Sequence, residues 1–158
     1  VGVVYDPRRD EMFTAIRGGG AWVNDTRLCC ADTPSLDRAM IAVGFGKTSP
    51  ESGALKDILG LMPHVQKLRI TGSAALDLAY VAAGRLDGYV ETEVYTWDVT
   101  AGCLMVNEAG GQAHTWVGPE PQMRSCVATC SCIAGETLSV LQKDTESCAR
   151  VSIDDVVD

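Results

Sequence analysis

Basic residues are scarce in this chain: 13 Lys and Arg stand against 21 Asp and Glu, a formal charge of −8 with a pI near 4.7. Nucleic acids and anionic membrane surfaces are met by clustered Lys and Arg, so neither is an expected partner. Histidine is nearly missing, with His64 in a loop after Pro63 and His114 isolated. A His-centred nucleophile triad and a Cys/His zinc finger therefore both lack their parts. No apolar run approaches the ~20 residues that a membrane helix needs. There is no initiator Met, signal peptide or transit segment before the strand-like Val1-Gly2-Val3-Val4-Tyr5, so a true N-terminus is expected upstream. Internal repeats and long linkers are missing too, which argues against two separate domains.

What is present is enough for one buried core: 158 residues at 46% hydrophobic content imply one domain or a large piece of one. The polar, acidic stretch 144–158 reads as a tail beyond a folded 1–143. Seven cysteines (Cys29, Cys30, Cys103, Cys126, Cys130, Cys132 and Cys148) make an odd count without framework spacing. That usage fits a reducing, cytoplasmic compartment, with a plastid location left open by the missing N-terminus. Cys126, Cys130 and Cys132 are expected as small strand-packing thiols rather than zinc ligands.

Pattern along the chain gives an α/β fold of stacked layers. Val1–Tyr5 and Glu11–Ile16, joined by Asp6-Pro7-Arg8-Arg9-Asp10, read as a hairpin, and Ala21–Val23 as a third strand after Gly18-Gly19-Gly20. From Pro34 the pattern alternates: strand 40–43, helix 51–62, strand 67–70, helix 74–83, strand 88–91, helix 97–109, then a strand near 125–129 and a helix near 136–143. Ala75, Leu78, Ala79 and Ala82 predict one apolar stripe on the second of these helices, with Gly84 ending it, and Val99, Cys103 and Val106 predict another on the third.

The chemistry-bearing residues lie between Gly72 and Gly111. Gly72-Ser73-Ala74 ends a strand and opens a helix, where free N–H groups and the helix dipole favour an anion. Ser73 is equally a common helix cap, and Asp98 is open to the same reading, with Thr96 as a competing cap. Small Ala101 and Gly102 one turn on, together with Glu91 on the preceding strand, would put two carboxylates at one strand-to-helix mouth. Glu93, sharing the face of Glu91 by alternation, is expected on a solvated edge, and Asp77 and Asp87 at a helix surface and a turn. Gly44-Phe45-Gly46-Lys47-Thr48 ends like a phosphate-binding loop, but Ile41 stands where that loop needs glycine, and Pro50 interrupts the helix that should follow.

Gly72-Ser73-Ala74-Ala75-Leu76-Asp77, Trp97-Asp98-Val99-Thr100-Ala101-Gly102, and the hairpin Gly2-Val3-Val4-Tyr5-Asp6-Pro7 with Gly20-Ala21 and Asn24 resemble the inositol monophosphatase family. The similarity covers nearly the whole chain and fades after about Trp116. It implies the C-terminal part of the sugar-phosphatase fold, from a commonly dimeric, magnesium-dependent enzyme in which metal ions activate water against a phosphate monoester. By position, Asp98 would be a catalytic metal ligand facing the substrate. Gly72, Ser73 and Ala74 would line the polyol pocket, and Glu91 would accept a hydrogen bond from a ring hydroxyl. Ala74 with Glu91 favours inositol 1-phosphate over fructose 1,6-bisphosphate or adenosine bisphosphates. The family's first signature, Asp-Pro-x-Asp-Gly-Thr, and an upstream Glu are not in this sequence, and one carboxylate cannot hold a catalytic magnesium cluster. The expectation is therefore either a fragment of a longer enzyme or a truncated, non-catalytic homologue whose Val1–Tyr5 edge pairs with another chain.

Overall fold

A computed structural model describes residues 1–45 and 53–143. The hairpin forms as expected, β1 (Gly2–Asp6) against β2 (Glu11–Ile16), and β3 (Gly20–Val23) and the short β4 (Thr26–Arg27) complete an antiparallel sheet in sequential order. Then follow β5 (Met40–Val43), α1 (Gly53–Leu61), β6 (Lys67–Arg69), α2 (Ala74–Ala82), β7 (Gly88–Tyr95), α3 (Thr96–Glu108), β8 (Gly111–Val117), β9 (Met123–Cys130) and α4 (Ala134–Val140). Their five strands form one mixed sheet in the order β6-β5-β7-β9-β8. β5 runs parallel to both of its neighbours, and β9 antiparallel to both of its own.

Helices α2 and α3 lie between the two sheets, and α1 and α4 lie on the far face of the mixed sheet, giving four layers. The inner core joins Phe13, Ala15 and Ala21 of the first sheet to Leu78, Val81, Met105 and Val106 of the helices and Tyr89 and Ala128 of the second sheet. The outer core gathers Ile41, Val43, Val90 and Val127 against Ile58, Leu61 and Leu138. A middle layer has two apolar neighbours, so single stripes do not describe its helices. Asp77, Leu78, Ala79, Val81 and Ala82 are all buried in α2, and Val99, Gly102, Leu104, Met105 and Val106 in α3. The two helices approach so closely that a Cβ on Gly102 would stand 2.4 Å from Leu78 Cβ. Gly84, at φ +67°, ends α2: its N–H donates to the Val81 carbonyl and the Arg85 N–H to the Tyr80 carbonyl, a Schellman ending.

Several expectations need correction. Asp77 is buried rather than on a helix surface, because α2 is covered on both sides. Asp98 is not a cap: α3 starts at Thr96 after Tyr95, which puts Asp98 at its third residue. Glu91 and Glu93 do not alternate, since a bulge between Glu91 and Val94 and a φ of +65° at Glu93 interrupt the strand. β8 is an additional edge strand in a stretch with weak alternation. Cys126 and Cys130 pack inside the sheet, whereas Cys132 is exposed, its thiol donating to Asp32. Asp87 does hold a turn, accepting from the Thr33 hydroxyl at 2.5 Å and the Met40 N–H at 2.7 Å. The Gly46-Lys47-Thr48 segment, the first two residues of the helix expected from Glu51, and the 144–158 tail lie outside the described residues.

Candidate active site

β5 and β7 are neighbours in the sheet, yet the next described helix after β5, α1, lies on the outer face and the helix after β7, α3, lies in the middle layer. Such a parting opens a crevice at the carboxyl ends of the strands, the usual place for a ligand in open α/β sheets. A cavity of about 350 Å³ lies there. Gly44 and Phe45 after β5, Ile70 and Gly72–Ala75 after β6, Glu91 and Val94 of β7, and Asp77 and Asp98 of the two helices line it. All five sequence-expected site residues, Gly72, Ser73, Ala74, Glu91 and Asp98, therefore face one space.

Local structure explains how each is held. Gly72 has φ +89°, a left-handed conformation suited to glycine, and turns the chain from β6 into α2. Ser73 caps α2, its hydroxyl oxygen accepting from the Leu76 N–H at 3.4 Å. Asp98 is exposed in the first turn of α3, where the helix dipole favours a carboxylate. Glu91 is half-buried and accepts from the Tyr89 hydroxyl two residues earlier on the strand.

Two residues outside the expected set shape the site. Gly44 touches Glu91 so closely that a Cβ there would stand 1.8 Å from the Glu91 Oε2, so only glycine leaves that carboxylate its place. Its position just past a β-strand was visible in the sequence, but nothing in the pattern pointed across to β7. Asp77 is 2% exposed, lines the cavity, and accepts from the Thr71 hydroxyl at 2.5 Å. Hidden behind its helical spacing, it carried no signal beyond a carboxylate close to an apolar stripe.

Three carboxylates around one cavity set its electrostatics. Burial raises the Glu91 pKa, the charges of Asp77 and Asp98 add to the rise, and the Tyr89 hydrogen bond opposes it. Asp77 is raised by burial as well, with the Thr71 bond working against it. Such a site repels a phosphate dianion unless a cation lies between them, and it accepts hydrogen bonds from hydroxyls readily. The described residues do not fit a magnesium cluster by themselves: among them no three His, Cys, Asp or Glu side chains converge as a metal site, while a hard dication takes about six oxygen ligands. Also among the described residues, no helix is long and apolar enough to cross a membrane.

Comparison with known proteins bears on this geometry. The model of the inositol monophosphatase family matches residues 1–151. Nus factor SuhB of Xylella fastidiosa is 42% identical over 137 residues, 84% of this chain and 50% of the relative. Inositol-1-monophosphatase of Mesorhizobium japonicum is 46% identical over 112 residues, 70% of this chain and 42% of the relative. The inositol monophosphatase structure from Anabaena (Nostoc) sp. PCC 7120 superposes with a TM-score of 0.79 at 34% identity, over 89% of this chain and 57% of that one. The chain spans about half the length of the relatives it matches.

Proposed function

The chain belongs to the inositol monophosphatase family, and from that premise we propose that the whole protein hydrolyses a phosphate monoester, with myo-inositol 1-phosphate as the preferred substrate. The observation that carries the reading is the convergence of Gly72, Ser73, Ala74, Glu91 and Asp98 on one cavity of about 350 Å³, large enough for a single polyol ring. In this reading the Gly72–Ala74 turn forms the wall against the ring, since a small Ala74 and a side-chain-free Gly72 let the ligand approach the backbone. The Glu91 carboxyl accepts from a ring hydroxyl, held in place by Tyr89 and by contact with Gly44. Repulsion from Asp77 and Glu91 keeps the phosphate away from their wall and leaves the hydroxyl-bearing side of the ring toward it.

Magnesium would supply the charge that lets a phosphate approach Asp98 and the activation of the attacking water. Asp98 would be one ligand of that set, and the others would have to come from outside the described residues. A homodimer is part of this reading, as is a cytoplasmic location. Fructose 1,6-bisphosphate and related sugar phosphates are the alternative substrates.

One observation favours a second reading, a non-catalytic homologue acting through association. β1 is an edge strand, and Val1 just before it and Val3 and Tyr5 within it are exposed. One experiment separates the two: magnesium-dependent phosphate release from inositol 1-phosphate, by this chain as given and by a form extended upstream with an Asp-Pro-x-Asp-Gly-Thr segment. The enzyme reading expects release from the extended form, its loss on Asp98→Asn, and none from the chain as given. No release from the extended form would favour the association reading. Release that survives Asp98→Asn would remove Asp98 from the metal site.

A further inference from the structure

Cys103 on α3 and Cys126 on β9 bring their sulfurs to 3.6 Å, although 23 residues and the whole of β8 separate them in sequence. Cys126 is fully buried. Cys103 is half-buried and lines a second cavity, of about 170 Å³, with Arg17, Thr100, Asn107 and Glu108. No residue lining this cavity lines the candidate active site. One sulfur thus has a route to small solutes, and the other waits beside it in the sheet.

We infer that Cys103 and Cys126 are a redox modification site, joined into a disulfide by a peroxide. The attacked group is the Cys103 sulfur, reached through the cavity. An S–O bond forms as the peroxide O–O bond breaks, leaving Cys103 as a sulfenic acid and releasing water. The Cys126 sulfur then attacks the Cys103 sulfur, the S–O bond breaks, and the departing hydroxide takes the Cys126 proton as a second water. Two thiols are oxidised by two electrons and one peroxide is reduced to two waters. Closing the gap to a disulfide bond requires the sulfurs to approach by about 1.5 Å, within reach of small side-chain and helix adjustments.

Other cysteines are poorer candidates. Cys30 is shielded: its thiol is pushed up to about 12 by burial and donates to the Val106 carbonyl at 3.8 Å. Cys29 and Cys132 are exposed, and their oxidation favours links between molecules. The Cys103–Cys126 link has a consequence that the others lack. It ties α3, which carries Asp98, to β9 at Cys126, the residue directly across the sheet from Glu91. Oxidation would staple the helix that carries Asp98 to the strand beside the one that carries Glu91. The inference stands whether or not the chain is part of a phosphatase.

The test is a peptide map of the full chain after treatment with hydrogen peroxide, digested without reduction, beside a form in which Cys29, Cys132 and Cys148 are serine. Expected is a joined peptide holding Cys103 and Cys126, lighter than the sum of its parts by two hydrogens and separated by dithiothreitol. The oxidised chain should also melt at a higher temperature, reversibly on reduction. Cys103→Ser and Cys103→Ala should each abolish the joined peptide while keeping the far-ultraviolet circular dichroism of the parent. Should both variants misfold, the map of the parent decides alone. Cys103 recovered as sulfinic or sulfonic acid with Cys126 still a thiol, both recovered as thiols, or Cys103 joined to another cysteine would each overturn the inference.

Discussion

The Tyr89 hydroxyl donates to the Glu91 carboxylate from two residues earlier on β7, so a buried phenol holds a carboxylate that lines the cavity. Burial raises the Glu91 pKa and this bond lowers it. Tyr89→Phe should therefore raise the Glu91 pKa further. A carboxyl raised in the folded state costs stability as pH climbs from its unfolded pKa to its folded one, so the variant should lose more stability over a wider range above the ordinary carboxylate pKa. Carbon-detected NMR titration of the Glu91 carboxyl, with urea melts at several pH values, would check this. An unchanged Glu91 titration would mean that the hydroxyl does not act on the carboxylate in solution.

Gly44→Ala tests how closely Glu91 is placed. The new Cβ would overlap the carboxylate, so Glu91 must give way into the cavity that it lines. On the proposed phosphatase reading, the expected result is a displaced Glu91 and a loss of about 10²-fold in phosphate release by the whole protein, the scale that a misplacement of an ångström produces. Gly44 lies past the end of β5, so stability should change far less than activity. Equal losses in both would show that the glycine serves the fold instead.

Much of this architecture was legible because the polypeptide obeys local rules outside the site. The strand Met40–Val43 stands within its expected bounds, and the hairpin follows from Asp6–Asp10 flanked by alternating residues. The meeting of Glu91 and Asp98 was legible from their places around one strand-to-helix mouth, and the joining of Gly72–Ala74 to them only from the family resemblance. What stayed hidden depends on neighbours distant in sequence. The burial of Asp77 needs the first sheet to cover α2, and the contact between Gly44 and Glu91 needs β5 placed beside β7. The bulge at Glu93 is invisible to alternation because alternation is what it breaks.

Asp77→Asn keeps an oxygen to accept from Thr71 while removing a buried charge. The Asp77 pKa is raised by burial, so the wild-type carboxyl costs stability at pH values above its unfolded pKa, and the cost grows until the folded pKa is passed. At neutral pH the variant should be at least as stable as the parent, and the two should converge as pH falls below both pKa values. Because the Asp77 charge also raises the Glu91 pKa, that pKa should fall in the variant. Thermal melts from acid to neutral pH, paired with the Glu91 titration, would show both effects. A variant less stable at neutral than at acid pH, relative to the parent, would contradict the assignment of burial as the dominant cause.

Arg85 closes the C-terminal end of α2 onto the hairpin. Its guanidinium donates two hydrogen bonds to Glu11, at 2.6 and 2.7 Å, and lies over the rings of Tyr80 and Phe13, 5.1 and 5.6 Å from their centroids. The Arg85 hydrogen bonds hold the Glu11 pKa below its ordinary value, and a hydrogen bond from Tyr80 does the same for Asp6. A lowered carboxyl pKa contributes stability above the unfolded pKa that fades as pH falls through the folded one, so the first sheet should loosen from α2 in mild acid before the mixed sheet opens. Arg85→Met keeps the apolar stem and removes the charge. It should cost about 1 kcal/mol at neutral pH, on the scale of a partly exposed bidentate pair with ring contacts, and much less at acid pH, where Glu11 is protonated in either state. Hydrogen exchange on β1 and β2 against β5 and β7 would resolve the order. Equal protection of the two sheets through the acid range would mean that the Arg85 contacts do not govern how the layers separate.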